Sequence, residues 1–133
     1  MTEKFDVLVV GAGISGIGAG YHLQKKCPNS SFVILEGRDK IGGTWDLFKY
    51  PGIRSDSDMY TLGFNFKPWK EQEAIADAPS ILKYLNETVE EYNLKDKIRF
   101  GKYVKSATWS SSENSWTVDV EDKSEGKITQ ISC

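Results

Sequence analysis

The stretch "VLVVGAGISG", residues 7–16, decides the fold. A short valine-rich run, Phe5–Val10, leads directly into glycine, which predicts a strand buried on both faces, as in a parallel sheet. The following "IGAGYHLQKK" has apolar residues at helical spacing and ends in two lysines, which suit the negative end of a helix. "SFVILE", Ser31–Glu36, then predicts a second buried strand. A short helical crossover between two such strands makes them parallel neighbours.

Each glycine of the loop "GAGISG" has a separate physical role. Gly11 permits a tight turn after the strand, Gly13 lets a pyrophosphate approach the backbone, and Gly16 lets the helix pack close to the strand. The start of the helix presents unpaired N–H groups and the positive end of its dipole to phosphates. Glu36 lies 20 residues beyond Gly16, at the end of the second strand. There a carboxylate can accept both ribose hydroxyls of an adenosine.

A glycine pattern alone is weak evidence, but here the strand, the helix and the acid all stand where dinucleotide binding needs them. The alternative is a structural turn with Glu36 as a surface acid. Ser15 is either a hydroxyl donor to phosphate or a solvated residue of the helix start. Arg38 either meets a 2′-phosphate of NADP or is a surface arginine. His22 is the only histidine, and no ligand pattern surrounds it, so neither a metal site nor a catalytic histidine is predicted.

The rest of the chain predicts one long loop, one helix and a meander. Residues 37–78 show little regular structure, yet their many aromatic residues argue against disorder. "APSILKYLNETVEEYNL" predicts a helix with Pro79 in its first turn. Lys97–Ser110, Ser115–Asp122 and Lys127–Cys133 alternate as three antiparallel strands. The expected class is α/β: a Rossmann-like βαβ unit with parallel strands, a helix and a three-stranded antiparallel meander.

Composition excludes several classes of partner. The net charge of −2 gives no reason to expect nucleic acid or a specific membrane partner. The longest apolar stretch is interrupted by glycines, and it resembles neither a membrane span nor a signal peptide. Cys27 and Cys133 form no disulfide framework, which indicates reduced thiols of a cytoplasmic protein. The oligomeric state has no signature in the sequence.

The glycine loop, its acid, "GGTW" (residues 42–45) and "YPGIRSDSDM" (residues 50–59) together resemble the N-terminal part of the class B flavoprotein monooxygenases. Within these, the sequence is similar to Baeyer–Villiger enzymes of the bacterial ethionamide-activating type, and the resemblance covers essentially the whole chain. It implies that the βαβ unit binds FAD. It also implies a parent reaction that uses NADPH and O₂ to oxidise a small ketone, or the sulfur or nitrogen of a small molecule such as a sulfide.

The resemblance also assigns residues to the cofactor. Gly42 and Gly43 would permit close approach of the backbone to the dinucleotide. Thr44 and Trp45 would line the flavin, although Trp45 also suits an ordinary core position. Val104 matches a position whose backbone contacts the adenine.

A second group of residues would face the nicotinamide cofactor. By resemblance, Arg54, Ser55 and Asp56 would face NADPH. Asp56 would also lie near the isoalloxazine and act in catalysis, by tuning an arginine that comes later in the family's sequence. Without the resemblance, Arg54 and Asp56 suggest a surface ion pair that contributes little to stability.

Two family features are absent from this sequence: a second GxGxxG and the histidine of an FxGxxxHxxxWP fingerprint. We therefore expect an incomplete flavoprotein of the type with two dinucleotide-binding domains. Residues 1–133 would be the N-terminal segment of the FAD-binding domain, without the NADP-binding domain and the rest of the FAD domain. One alternative is a stand-alone dinucleotide-binding module without catalysis. Another is an NADP-dependent reductase built around Arg38.

Overall fold

The computed structural model describes residues 2–133, which form two sheets, four α-helices and one short 3₁₀-helix, Lys95–Lys97. The strands are β1 (Glu3–Lys4), β2 (Val7–Val10), β3 (Phe32–Leu35), β4 (Ile98–Arg99), β5 (Lys102–Ser110), β6 (Ser115–Asp122) and β7 (Lys127–Ser132). The helices are α1 (Ile14–Lys26), α2 (Thr44–Leu47), α3 (Met59–Leu62) and α4 (Ala78–Glu91). The strand order is β2-β3-β4 in one sheet and β1-β7-β6-β5 in the other.

The predicted βαβ unit is present. Strands β2 and β3 pair in parallel from Val7–Phe32 to Val10–Leu35, with α1 as the crossover. Strand β3 is buried along its whole length, as predicted. Burial on both faces is wrong for β2, however, because Val10 is 66% exposed. Within residues 2–133, β2 pairs only with β3 and so forms one edge of its sheet.

The segment 97–110 is two strands and not the single meander strand that its alternation predicts. Ile98 pairs with Ile34 and Arg99 with Leu35, so β4 belongs to the parallel sheet. Gly101 then adopts a φ of +65°, and β5 begins at Lys102 in the other sheet. A positive φ is easily adopted by glycine, so the chain can turn between the sheets at this residue.

The three-stranded antiparallel meander itself is confirmed. Strand β6 pairs with β5 on one side and with β7 on the other. The short strand β1 adds to β7 in parallel, which the sequence analysis did not predict. A strand of two residues is too short to show an alternating pattern.

The segment 37–78 is more ordered than predicted, because it contains the one-turn helices α2 and α3. Aromatic residues fix the segment to its neighbours. Tyr21 of α1 stacks on Phe66 with 3.6 Å between ring centroids, and Phe66 stacks on Phe64 at 4.7 Å. The hydroxyl of Tyr84 in α4 accepts a hydrogen bond from Phe64 N at 2.8 Å.

Strand β3 separates two hydrophobic cores. Phe32 and Ile34 point into the core formed with α1 and α4, whereas Val33 and Leu35 point into the core formed with the meander. Alternate side chains of a strand face opposite sides, so one strand serves both cores. In the part of the chain that the structure describes, no helix combines the length and the apolar character needed to cross a bilayer.

Candidate dinucleotide-binding site

The glycine loop turns the chain from β2 into α1. Gly11 has a φ of +94°, and its N–H donates to the carbonyl oxygen of Leu35 at 2.8 Å. Helix α1 begins after Gly13 with no side chain capping it and no acid in its first turn. Its first N–H groups are therefore suited to an anion. A Cβ on Gly16 would lie 1.8 Å from the carbonyl oxygen of Gly11, so only glycine fits there.

A second glycine turn lies against the first. Gly42 and Gly43 have φ values of +118° and +53°, and Gly42 N donates to the carbonyl oxygen of Ala12 at 3.0 Å. A Cβ built on Gly13 would be 3.6 Å from Gly43 Cα. The two turns line one cavity of about 280 Å³, which Ser15, Thr44 and Trp45 also line. We call this cavity, together with Glu36 beside the loop, the dinucleotide groove.

Glu36 braces the glycine loop from the end of β3. Its Oε1 accepts a hydrogen bond from Ala12 N at 2.9 Å, and its Oε2 accepts one from Arg38 N at 2.9 Å. The residue is only 8% exposed, so it is not a surface acid. Each carboxylate oxygen has two lone pairs, which leaves capacity for hydroxyl donors. The bracing contact has no sequence signature, because both donors are backbone groups.

Arg38 forms an ion pair that the sequence analysis missed. Its Nη2 donates to Asp46 Oδ2 at 2.6 Å, and Lys49 Nζ lies 3.5 Å from Asp46 Oδ1. Asp46 is only 6% exposed. The one sequence signal for this ion pair is that a charged residue, Asp46, directly follows "GGTW" and lies only eight positions after Arg38. The guanidinium is therefore not a free surface group.

The other groove residues lie as follows. Ser15 is exposed in the first turn of α1, and Thr44 is exposed at the start of α2. Trp45 is half-buried: it packs against the core beneath α1 and α4, and it also lines the groove. Both roles considered for Trp45 are thus compatible with its position.

Val104 lies on the meander, whose start is close to the acid. It is half-buried and opposite Val120 in β6. Lys102 N, two residues earlier, donates to the carbonyl oxygen of Glu36 at 2.9 Å. Strand β5 therefore starts beside the end of the groove where an adenosine would meet the carboxylate.

The segment Arg54–Asp56 lies outside this set of lining residues. Ser55 is 3% exposed, its N–H donates to the carbonyl oxygen of Ala76 at 2.9 Å, and its hydroxyl accepts from Ala76 N at 3.2 Å. Arg54 and Asp56 are exposed. Among residues 2–133, no ion pair joins them to each other.

Arg54 forms an antiparallel bridge with Asp77, the cap of α4. The pKa of Asp77 lies below its usual value, because hydrogen bonds from the side chain and the backbone of Ser80 favour its ionised form. The positive charge of Arg54 has a smaller effect in the same direction.

His22 is exposed, and its ring lies edge-on to Tyr21 and Phe66. Within residues 2–133, no group of three or more His, Cys, Asp or Glu side chains is arranged to hold a metal ion. Cys27 and Cys133 are both free thiols.

A family described as "NAD(P)-binding Rossmann-like domain" matches residues 9–77, which are 69 of the 133 residues. The chain belongs to this family. The matched residues of this Rossmann-like domain include the glycine loop, Glu36 and the second glycine turn. The comparison therefore agrees with the fold class predicted from the sequence.

Relatives of this Rossmann-like domain confirm the resemblance to flavoprotein monooxygenases. The FAD-containing monooxygenase EthA of Mycolicibacterium smegmatis is 60% identical over 127 residues, which are 96% of this chain and 26% of that protein. Cyclohexanone monooxygenase from Rhodococcus sp. Phi1 bound to NADP⁺ superposes with a TM-score of 0.84 and 29% identity, over 98% of this chain and 25% of that one. OTEMO in complex with FAD and NADP superposes with a TM-score of 0.81 and 25% identity, over 96% of this chain and 24% of that one. The chain thus spans about a quarter of the length of these proteins.

Proposed function

We propose that the chain is the FAD-binding part of an NADPH-dependent flavoprotein monooxygenase. The substrates of the whole protein would be O₂ and a small molecule, a ketone in a Baeyer–Villiger oxidation or a sulfide or amine in S- or N-oxidation. One observation carries this proposal: two glycine turns in backbone contact, at the uncapped start of α1 and beside the buried carboxylate of Glu36. The 60% identity to a protein named as an FAD-containing monooxygenase supports the choice of FAD over NAD.

The residues of the groove fit a dinucleotide. The first N–H groups of α1, with the hydroxyl of Ser15, would hold the pyrophosphate, because Gly13 leaves no side chain in its way. Glu36 would accept the ribose hydroxyls. Bound FAD would supply the redox chemistry, and the residues of this chain would bind and orient it.

Three further contacts complete the proposed FAD site. The Gly43 backbone, Thr44 and Trp45 would line the flavin side of the groove, which is supported by their place along one cavity. The backbone of Val104 would contact the adenine, which is supported by the position of β5 next to Glu36.

The segment Arg54–Asp56 would serve the NADPH side. Exposure of Arg54 and Asp56 supports contact with a second cofactor, and Asp56 would be the catalytic residue of the segment. Ser55 would act by holding the segment, since its polar atoms bond to the backbone of Ala76.

We further propose that residues 1–133 form the N-terminal segment of an FAD-binding domain, with the NADP-binding domain elsewhere in the whole protein. Support comes from the length, which is about a quarter of that of EthA, and from the single GxGxxG of the sequence. A cytoplasmic location stays a prediction that rests on the two free cysteines.

Titration of the purified chain with FAD tests the proposed binding site. We expect quenching of flavin fluorescence together with a change in tryptophan fluorescence, because Trp45 lines the groove. ADP should compete with FAD, since the two share the adenosine and the pyrophosphate. Binding of ADP without FAD would favour the dinucleotide-binding module. Tight binding of NADPH, with no binding of FAD, would favour the reductase.

A second experiment tests the division between two cofactor sites. The 133-residue chain is mixed with FAD, NADPH, O₂ and cyclohexanone, and ester formation is followed beside NADPH consumption. We expect no ester above the background without protein, because one glycine loop seats one dinucleotide. Ester above background would contradict the proposal that NADPH binds outside this chain.

A further inference from the structure

The side chain of Arg38 leaves the acid turn in a fixed direction, because its backbone is held on both sides. Arg38 N donates to Glu36 Oε2 at 2.9 Å, and Gly101 N donates to the carbonyl oxygen of Arg38 at 3.0 Å. From there the guanidinium reaches the second glycine turn. Its Nη2 lies 2.6 Å from Asp46 Oδ2 and 3.4 Å from the carbonyl oxygen of Asp46.

Asp46 holds this guanidinium firmly. The Asp46 side chain is 8% exposed and that of Arg38 is 34% exposed, so the ion pair is partly buried and water screens it less than a fully exposed pair. The other carboxylate oxygen faces Lys49 Nζ at 3.5 Å. Asp46 N donates to the carbonyl oxygen of Gly43 at 3.1 Å, so the backbone of Asp46 is held to the second glycine turn.

The position of Arg38 bears on ligand choice. In dinucleotide sites of this fold, an acid at the end of the second strand binds the 2′-hydroxyl of the adenosine ribose, and a nearby arginine accommodates a 2′-phosphate. This chain has the acid, Glu36, and the arginine, Arg38, two positions apart. The guanidinium of Arg38, however, is already paired with the carboxylate of Asp46. A 2′-phosphate would therefore meet the like charge of Glu36, while the positive charge of Arg38 is already balanced by Asp46.

We propose that Asp46, which lies beside the groove and not in its lining, determines the specificity of the groove through Arg38. By holding Arg38, it makes the groove select dinucleotides with a free 2′-hydroxyl, such as FAD, over those that carry a 2′-phosphate. This inference rests on the proposed function and deepens it, because it assumes that the adenosine ribose lies at Glu36.

NAD⁺ and NADP⁺ are the probes, because they differ only in the 2′-phosphate. Their dissociation constants are measured by calorimetry on the 133-residue chain, and FAD is titrated in parallel. For the unchanged chain we expect NAD⁺ to bind at least about 10-fold more tightly than NADP⁺, the effect of about one charge-assisted contact. Asp46→Asn keeps the shape of the side chain and removes its charge. It should improve NADP⁺ binding about 10-fold relative to NAD⁺, because the freed guanidinium can bond to the phosphate.

Two controls separate this effect from a change of overall charge. Asp39→Asn makes the same charge change on an exposed residue next to Arg38, and it should leave the ratio of the two dissociation constants unchanged. In the double variant Arg38→Gln/Asp46→Asn, the gain in NADP⁺ binding should disappear, because the guanidinium is gone.

Several results would overturn the inference. One is an unchanged ratio in Asp46→Asn that still binds NAD⁺. Another is a loss of NADP⁺ binding in Arg38→Gln alone, which would mean that the guanidinium already reaches the phosphate. The Arg38→Gln result decides the matter even if Asp46→Asn does not fold. Binding of neither FAD nor NAD⁺ to the unchanged chain would contradict the proposed function itself, and the inference would fall with it.

Discussion

The dinucleotide groove and the segment 53–58 are both loops rich in glycine or polar residues, yet they are built in opposite ways. The groove leaves the first N–H groups of α1 without a side-chain cap beside an open cavity, and several of the residues that line this cavity are glycines. In the segment 53–58, the backbone and hydroxyl of Ser55 are bonded to Ala76, and Asp58 caps α3 through Thr61 N. Only exposed side chains, such as those of Arg54 and Asp56, remain for a ligand.

This difference shows where binding energy can come from in each region. A site made of backbone donors is fixed by the fold itself, so a ligand meets groups that need little reorganisation. A site made of exposed side chains must order those side chains when a ligand arrives, which costs conformational entropy. We therefore expect the groove to bind a dinucleotide on its own, whereas Arg54 and Asp56 need a second surface to complete their site.

The largest effect should come from Gly16→Ala. The new Cβ would lie 1.8 Å from the carbonyl oxygen of Gly11, and the nearest atoms belong to the backbone, which cannot move aside cheaply. We expect a loss of about 3 kcal/mol or more in the free energy of unfolding, measured by urea denaturation. A loss under about 1 kcal/mol would show that the glycine loop rearranges easily, and its backbone donors would then not be fixed by the fold.

Gly13→Ala, three residues earlier, should weaken ligand binding and leave the stability of the fold nearly unchanged. A Cβ on Gly13 meets only the backbone of Gly43, with Cα at 3.6 Å and N at 3.9 Å, which are ordinary contacts, and the φ of −80° suits alanine. Gly13→Ala should therefore change the free energy of unfolding by less than about 1 kcal/mol. Affinity for ADP should fall about 100-fold, or about 2.7 kcal/mol, because the methyl group would separate the pyrophosphate from the backbone. Equal losses in stability and affinity would mean that Gly13 serves the fold.

Glu36→Gln should show both effects at once. The carboxylate of Glu36 accepts hydrogen bonds from Ala12 N and Arg38 N. In the glutamine variant, one of these two N–H groups would face the amide NH₂ group. Loss of that hydrogen bond should cost about 1–3 kcal/mol of stability, followed by urea denaturation. Affinity for ADP, followed by calorimetry, should fall roughly 10- to 150-fold. The exposed Glu113 offers a matched control, since Glu113→Gln should change neither quantity. Full affinity in Glu36→Gln would remove this carboxylate from the ribose site.

The groove was largely predictable from the sequence, and the reason is physical. Gly11, Gly13 and Gly16 act through the absence of a side chain, and Glu36 acts through its place at the end of a strand. Both properties depend on local spacing alone. The Arg38–Asp46 pair and the contact of Gly42 with Ala12 depend on how two turns pack against each other, which spacing does not reveal.

The split of residues 97–110 into two strands was missed for a similar reason. Its alternation continues smoothly, and only the positive φ of Gly101 separates β4 from β5. For the segment 53–58, the resemblance named the residues but not their surroundings. Burial of Ser55 follows from its pairing with Ala76, which is 21 residues away in sequence.

Ser55→Ala should affect the fold and not the groove. The variant leaves the buried N–H of Ala76 without its hydroxyl acceptor, which should cost about 1–2 kcal/mol of stability. ADP affinity should remain unchanged, because Ser55 does not line the groove. Ser55→Cys keeps a similar shape but has a weaker acceptor. Its free energy of unfolding, measured by urea denaturation, should lie between those of the unchanged chain and Ser55→Ala. A fall in ADP affinity larger than the fall in stability would mean that the two regions are coupled.

The smallest effects should come from Arg54→Ala and Asp56→Asn in the isolated chain. Both side chains are exposed, and within residues 2–133 neither takes part in an ion pair. Surface substitutions of this kind usually change stability by less than about 0.5 kcal/mol. Calorimetry with ADP should give dissociation constants within about 2-fold of the unchanged chain, because the proposed dinucleotide site uses backbone groups at a different place. The proposed NADPH role predicts a different result in the whole protein, where both variants should slow NADPH-dependent turnover. If either variant weakens ADP binding in the isolated chain as much as Gly13→Ala does, the two regions form one site, and the contrast between backbone and side-chain recognition is wrong.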